Sequence, residues 1–115
     1  MNTPIIAKPW GQEEVIEFNP RYMVKRLTMR AGRRCSLQYH NHKRETIYVL
    51  SGRLKIVSGD RVDALTERIF EPGESVTLAP GVIHRMEGID DAVYLESSTP
   101  EMDDVVRLQD DYARS

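Results

Sequence analysis

The chain has one cysteine, one tryptophan and two phenylalanines in 115 residues. It also has no apolar run approaching the roughly 20 residues that a bilayer-spanning helix needs. Cys35 has no second thiol to pair with, which excludes an internal disulfide, and a lone thiol fits a reducing compartment. The opening Met-Asn-Thr-Pro-Ile-Ile-Ala-Lys-Pro-Trp has no basic segment followed by an apolar one, so no secretory leader is read there and the expected location is cytoplasmic. An overall basic excess is missing as well: the formal net charge is −2 and aromatic residues make up 7%. Nucleic-acid binding needs a basic face interleaved with aromatics, so neither a nucleic acid nor a membrane is an expected partner.

What is present is ordinary for a water-exposed globular chain, with 40% apolar and 30% charged residues. A chain of this length buries roughly 65% of its unfolded surface, enough for one core, and a single domain over 1–115 is expected. The charge is unevenly spread. Residues 1–44 carry nine Lys/Arg against three Glu, and residues 71–115 carry eleven Asp/Glu against three Arg. Several of the basic residues (Lys25, Arg34, Lys43 and Arg44 among them) lie close in sequence to the histidines discussed below. They form either a solvated surface or an anion site of the kind a sugar phosphate would use.

Short β-rich segments broken by turn residues fill the chain. Arg21–Met29 alternates, with Met23, Lys25, Leu27 and Met29 on one face. Cys35–His40 precedes the polar stretch Asn41–Arg44. Glu45–Leu50 runs into Ser51-Gly52, which reads as a hairpin turn leading to Leu54–Val57. Ala64–Phe70, Ser75–Leu78, His84–Glu87 and Ala92–Glu96 follow, separated by Pro72-Gly73, Pro80-Gly81 and Gly88. Asp103–Asp111 reads as a short helix or as a strand closing a barrel edge. Short strands at this spacing predict an all-β sandwich or barrel.

The three histidines lie in two segments, Gln-Tyr-His-Asn-His (38–42) and Val-Ile-His (82–84). Residues two apart on a strand share a face, so Gln38 and His40 project together, and His42 would join them if the strand ran on. Glu45 shares a face with Ile47 and Val49, and His84 with Met86; both faces are apolar and inward. A carboxylate buried without a partner is costly, and a metal ion removes that cost. Cys35 has the wrong parity to join them and reads as an apolar filler.

These residues resemble the cupin motifs. The first, Gly-x5-His-x-His-x3–4-Glu-x6-Gly, falls on Gly32, Gln38, His40, Glu45 and Gly52, with Gln in the first His position. The second, Gly-x5-Pro-x-Gly-x2-His-x3-Asn, falls on Gly73, Ala79, Gly81, His84 and Gly88, with the Pro and Asn positions changed. The resemblance implies a cupin jelly-roll β-barrel and a metal set of Gln38, His40, Glu45 and His84. Lys8-Pro9-Trp10-Gly11, Tyr48-Val49-Leu50-Ser51-Gly52 and Asp103-Asp104-Val105-Val106-Arg107 extend it to the type II phosphomannose isomerase cupin, which also forms the C-terminal part of bifunctional mannose-1-phosphate guanylyltransferases. Where those enzymes have Arg and His beside the motif Glu, this chain has Lys43 and Thr46.

The implied function is aldose–ketose isomerisation of a hexose phosphate such as mannose 6-phosphate, on one divalent ion. Zinc is expected first, and Mn, Fe, Co and Ni suit the same donors. Lys25 is the candidate proton shuttle, unless its stem merely snorkels at the barrel mouth. Lys43, Arg44 and Arg34 are the candidate phosphate ligands. Arg85, opposite in parity to His84, is expected in an outer-face ion pair, and Trp10 at a barrel cap or dimer contact. Cupins resembling this one are often homodimers. Two other functions suit the same residues: an Fe(II) oxygenase on His40, His84 and Glu45, and a non-enzymatic sugar or nucleotide-sugar binding cupin.

Overall fold

The computed structural model describes residues 3–113. Eleven strands and one 3-10 turn, Val62–Ala64, make up their regular structure, with no α-helix among them. The strands are β1 (Ile5–Lys8), β2 (Gly11–Phe18), β3 (Met23–Met29), β4 (Leu37–Tyr39), β5 (Glu45–Ser51) and β6 (Leu54–Gly59). The remainder are β7 (Thr66–Phe70), β8 (Ser75–Leu78), β9 (Ile83–Gly88), β10 (Ala92–Ser98) and β11 (Val106–Gln109). They form two sheets, one ordered β1-β2-β3-β10-β5-β8 and the other β11-β4-β9-β6-β7. All strand pairs are antiparallel.

Alternation along each strand decides what goes between the sheets. In β3 the side chains of Met23, Lys25, Leu27 and Met29 are buried while Arg26 is exposed. In β5 Glu45, Ile47 and Val49 are buried, and in β10 Ala92, Tyr94, Glu96 and Ser98. Leu27, Ile47, Val49, Ile56, Met86 and Tyr94 belong to one contiguous core. Each such side chain contributes about 1.5–3 kcal/mol on leaving water. Trp10 joins this core, 5% exposed, rather than lying at a surface. One end of the space between the sheets is filled by these apolar groups; the other is left to polar ones.

The expected all-β barrel is therefore observed, with two local departures. Ser51-Gly52 is not the turn of a hairpin. β5 pairs with β10 and β8, whereas β6 pairs with β9 and β7, so the turn carries the chain from one sheet to the other. In addition, β1 and β2 pair along their length at the edge of the first sheet, although Gln12, Glu13, Glu14 and Glu17 are poor strand formers. Their partner β3 supplies the order, through Arg26 bonding Glu14 at 2.7 Å among other contacts. The segment 103–111 resolves to a strand: β11 closes the second sheet on β4.

Gly52 has φ +69, and a Cβ there would sit 2.3 Å from the Asp91 carbonyl oxygen. Gly73 has φ +90 with open space around it. Gly73→Ala should cost only the left-handed backbone strain, about 1–2 kcal/mol. Gly52→Ala must also displace backbone and should cost more. Urea unfolding midpoints of the two variants provide the check, and equal losses would mean that the sheet-switching turn tolerates a side chain.

Candidate metal centre

The second sheet sets out a row of side chains on its inner face. Arg107 on β11 stands opposite Gln38 on β4, and Gln38 stands opposite His84 on β9. Directly paired residues in antiparallel strands share a face, so all three project the same way. The first sheet answers with Glu45, the first residue of β5. His40 comes from the loop that joins the two sheets, one residue past the end of β4.

His40, Glu45 and His84 are 4%, 1% and 1% exposed, and one donor atom from each lies within 4.8 Å of the others. The His40 Nε2 is 3.2 Å and the His84 Nε2 2.9 Å from Glu45 Oε1. Both Nδ1 atoms face backbone carbonyls: His40 Nδ1 is 2.6 Å from the Asp104 oxygen and His84 Nδ1 is 3.0 Å from the Val82 oxygen. A carbonyl only accepts, so each Nδ1 carries the proton. In the neutral rings, the Nε2 lone pairs then point at a carboxylate oxygen, and three acceptors converge on one spot. The buried Glu45 Oε2 and His84 Nε2 have no hydrogen-bond partner. Either protons or a cation must enter this spot. Neutral imidazoles locked by a carbonyl on the far nitrogen, plus a carboxylate, are the donors a divalent ion takes. Gln38 lines the same cavity, its Oε1 accepting from Ser36 Oγ at 2.6 Å with a second lone pair to spare.

The electrostatics follow from this crowding. Burial raises the Glu45 pKa, but the His40 and His84 imidazoles and the neighbouring Glu96 carboxyl outweigh that and hold it well below the usual carboxylate range. Burial lowers the His40 pKa, yet its bond and charge interaction with Glu45 leave it raised. Glu96 is pushed up to about 7 by burial and by the Glu45 charge beside it. Lys43 reaches Glu96 at 3.3 Å and Glu45 at 3.7 Å; burial lowers its pKa, and these two carboxylates more than reverse the effect.

The centre lies in a cavity of about 540 Å³. Lys25 is on its wall, as the β3 alternation requires, with its ammonium 3.0 Å from Glu13 of β2. Lys43 is there too, committed to carboxylates. Arg34 and Arg44 are placed elsewhere. Arg34 is half-exposed and bonds Asp111 at 2.7 Å; Arg44 is exposed and borders a shallow depression with Arg21, Tyr22 and Thr46. Nearness to the motif in sequence does not bring them to the cavity, because both sit in connections that leave the inner face. His42 is also exposed, since β4 ends at Tyr39 and its face does not continue.

Arg85 points away from His84, as its parity requires, but it is 6% exposed and bonds the Cys35 carbonyl at 2.9 Å and that of Gln109 at 3.3 Å. Asp111 is only 3.9 Å away, so this is backbone tethering with a weak ion pair added. Cys35 lines the cavity, where burial pushes its thiol up to about 11 and its sulfur accepts from the Met86 N–H at 3.3 Å.

Four residues of the site were not singled out from the sequence: Glu13, Glu96, Asp104 and Arg107. Glu96 had a signal, since it follows Ala92 and Tyr94 at period two. Glu13, Asp104 and Arg107 have no local pattern that points inward.

Two antiparallel sheets closed over a His-Glu-His cluster define a cupin. Solved cupins superpose closely: KdgF from Halomonas sp. at a TM-score of 0.76 and 16% identity, over 87% of this chain and 90% of that one. The capsular polysaccharide assembling protein CapF from Staphylococcus aureus matches at 0.79 and 19%, over 95% of this chain and 32% of that one. A Bacillus subtilis oxalate decarboxylase, described with Mn(II) centres, matches at 0.77 and 16%, over 94% and 30%.

The chain belongs to the family described as mannose-6-phosphate isomerase C-terminal, which it matches over residues 3–110. It is 32% identical to the xanthan biosynthesis protein XanB of Xanthomonas campestris pv. campestris, over 96% of this chain and 24% of that protein. It is 33% identical to the mannose-1-phosphate guanylyltransferase of Salmonella montevideo, over 96% and 23%. The chain thus spans about a quarter of the length of these curated relatives. Among its described residues no helix is long and apolar enough to cross a membrane.

Divalent metal should raise the melting temperature by mass action. His40→Ala should abolish most of that rise and His42→Ala little of it; equal losses in a metal titration followed by scanning fluorimetry would remove His40 from the ligand set.

The pH dependence should differ in sign between metal-free and metal-loaded protein. In the metal-free protein the raised His40 pKa contributes stability that is fully present below the unfolded value of about 6.5 and is lost as pH rises through the higher folded value. With metal, protons compete for the same ligands, so stability should rise over that interval. Denaturant midpoints between pH 6 and 8, with chelator and with zinc, test both slopes.

Proposed function

We propose that this protein is a metal-dependent isomerase of sugar phosphates, interconverting an aldose phosphate and its ketose, with mannose 6-phosphate the first substrate to try. The observation that carries the reading is one cavity holding three kinds of group. It has the convergent His40, Glu45 and His84 acceptors with Gln38 beside them, the Lys25–Glu13 ion pair, and cationic side chains on the wall. Membership of a family described by mannose-6-phosphate isomerase agrees with it.

A divalent ion bound by Gln38, His40, Glu45 and His84 would polarise the carbonyl and hydroxyl oxygens at C1 and C2 of the sugar. Zinc is the first ion to supply, and Mn, Fe, Co and Ni suit the same donors. The proton transfer falls to the Lys25–Glu13 pair. An ammonium paired with a carboxylate has no lone pair to offer, so Glu13 takes the proton from C2 and returns it to C1, while Lys25 holds that carboxylate in place. Lys43 offsets the negative charge of Glu45 and Glu96. Arg107 and Lys8, both on the cavity wall, take the phosphate in place of Arg34 and Arg44. The apolar wall formed by Trp10, Leu27 and Tyr94 limits water around the reacting carbons.

The test is exchange of the C2 proton of mannose 6-phosphate with deuterated solvent, read by NMR on zinc-loaded protein. Exchange reports the enediol even when net conversion is slow. Glu13→Gln should slow it by about 10²-fold or more, and Arg107→Ala should raise KM about tenfold with a smaller effect on kcat. No exchange by the metal-loaded protein across several hexose and pentose phosphates would replace this reading with a sugar-binding module. Such a module would still give a ligand-induced thermal shift.

A further inference from the structure

We propose that Asp104 is the positioning residue of the metal centre, holding His40 in its ligating tautomer and pinning the loop that spaces His40 from Glu45. The inference rests on the metal reading above. Asn41–Arg44 connects β4 in one sheet to β5 in the other and spaces His40 from Glu45. Nothing within that loop satisfies its own donors. The backbone N–H groups of Asn41, His42 and Lys43 instead all donate to the Asp104 carboxylate, at 2.9, 2.7 and 2.9 Å. Successive N–H groups converging on one anion make a rigid cradle.

The same residue acts a second time through its backbone. His40 Nδ1–H donates to the Asp104 carbonyl at 2.6 Å, which leaves Nε2 as the lone pair turned toward Glu45. On the other side the His40 carbonyl accepts from Gly81 N–H at 2.7 Å, so the residue is held both at its ring and at its backbone. The carboxylate fixes where residue 104 lies against the loop, and that in turn fixes where its carbonyl meets the ring.

Asp104 sits in the segment that leads from β10 to β11. At its start, Thr99 N–H donates to the Arg44 carbonyl and Arg44 N–H to Thr99 Oγ1, each at 3.0 Å. Further along, Met102, Asp103 and Val105 line the cavity. The cavity wall and His40 are thus joined through one residue.

The experiment compares zinc affinity, by competition with a chromophoric chelator, in the wild type, Asp104→Ala, Asp104→Asn and Asp90→Ala. Asp90 is a surface carboxylate paired with Arg53 and serves as the control. Asp104→Ala should raise Kd about 10–100-fold. Asp104→Asn, which keeps one acceptor oxygen, should raise it less, and Asp90→Ala should leave it unchanged. A second readout needs no metal. Long-range 1H–15N NMR above the His40 titration should find a single Nδ1–H tautomer in the wild type and a mixture in Asp104→Ala. Unchanged Kd and tautomer in a folded Asp104→Ala, even one with a lower melting temperature, would overturn the proposal. If that variant does not fold, Asp104→Asn decides by the same criteria. If the wild type binds no divalent ion, the metal reading falls, and the tautomer comparison still decides whether Asp104 positions His40.

Discussion

A carboxylate buried between two sheets governs this molecule. Glu45 is almost wholly out of water and faces two imidazoles whose lone pairs point back at it. A charge in such a place survives only if positive charge is brought to it. The surroundings are arranged accordingly: Lys43 lies beside its second oxygen, burial and the Glu45 charge disfavour a second charge on neighbouring Glu96, and two histidines stand ready to share a proton or a cation. Apolar packing closes one end of the barrel, and this charge balance occupies the other.

The jelly-roll path is what lets so distant a set of residues meet. Only β1–β2, β2–β3 and β6–β7 pair with their sequence neighbours; at the other connections the chain passes from one sheet to the opposite one. Each crossing places consecutive segments on facing walls. Glu45 and Gln38 therefore look at each other across the interior although only six residues separate them, and His84 arrives beside Gln38 through the β4–β9 pairing. The cost of this path is that the connections must themselves be rigid, because they span the rim where the site lies. Asp104 meets that need for the loop after β4; the turn after β5, where Gly52 approaches Asp91 closely, lies at the other end of that strand from Glu45.

Relatives such as XanB are about four times longer than this chain, which holds the His40, Glu45 and His84 cluster within a cavity of its own. Glu45 and His84 of the cluster stand on strands, one in each sheet, and His40 on the loop between the sheets. The same cavity also holds the Lys25–Glu13 ion pair on its wall.

The sequence by itself determined which face each long strand buries. Period-two alternation turned Lys25, Glu45 and His84 inward, and all three are inside, because a pleated strand has only two faces and the apolar neighbours select one. The spacing of the two motifs singled out His40 over His42, and the strand does end at Tyr39, so its face does not run on to His42. Only the tertiary structure decided which faces meet. Arg34 and Arg44 are near the motif in sequence yet lie outside the cavity, while Glu13, Glu96, Asp104 and Arg107 reach the site from far along the chain. Asp104 is more than sixty residues from the loop it holds. Local periodicity cannot encode such contacts, because a strand's pattern says which way a side chain points but not which strand will be placed opposite. For the same reason Ser51-Gly52 read as a hairpin: the turn chemistry is the same whether the chain folds back on its own sheet or crosses to the other, and the pairings of β5 with β10 and β6 with β9 made that choice.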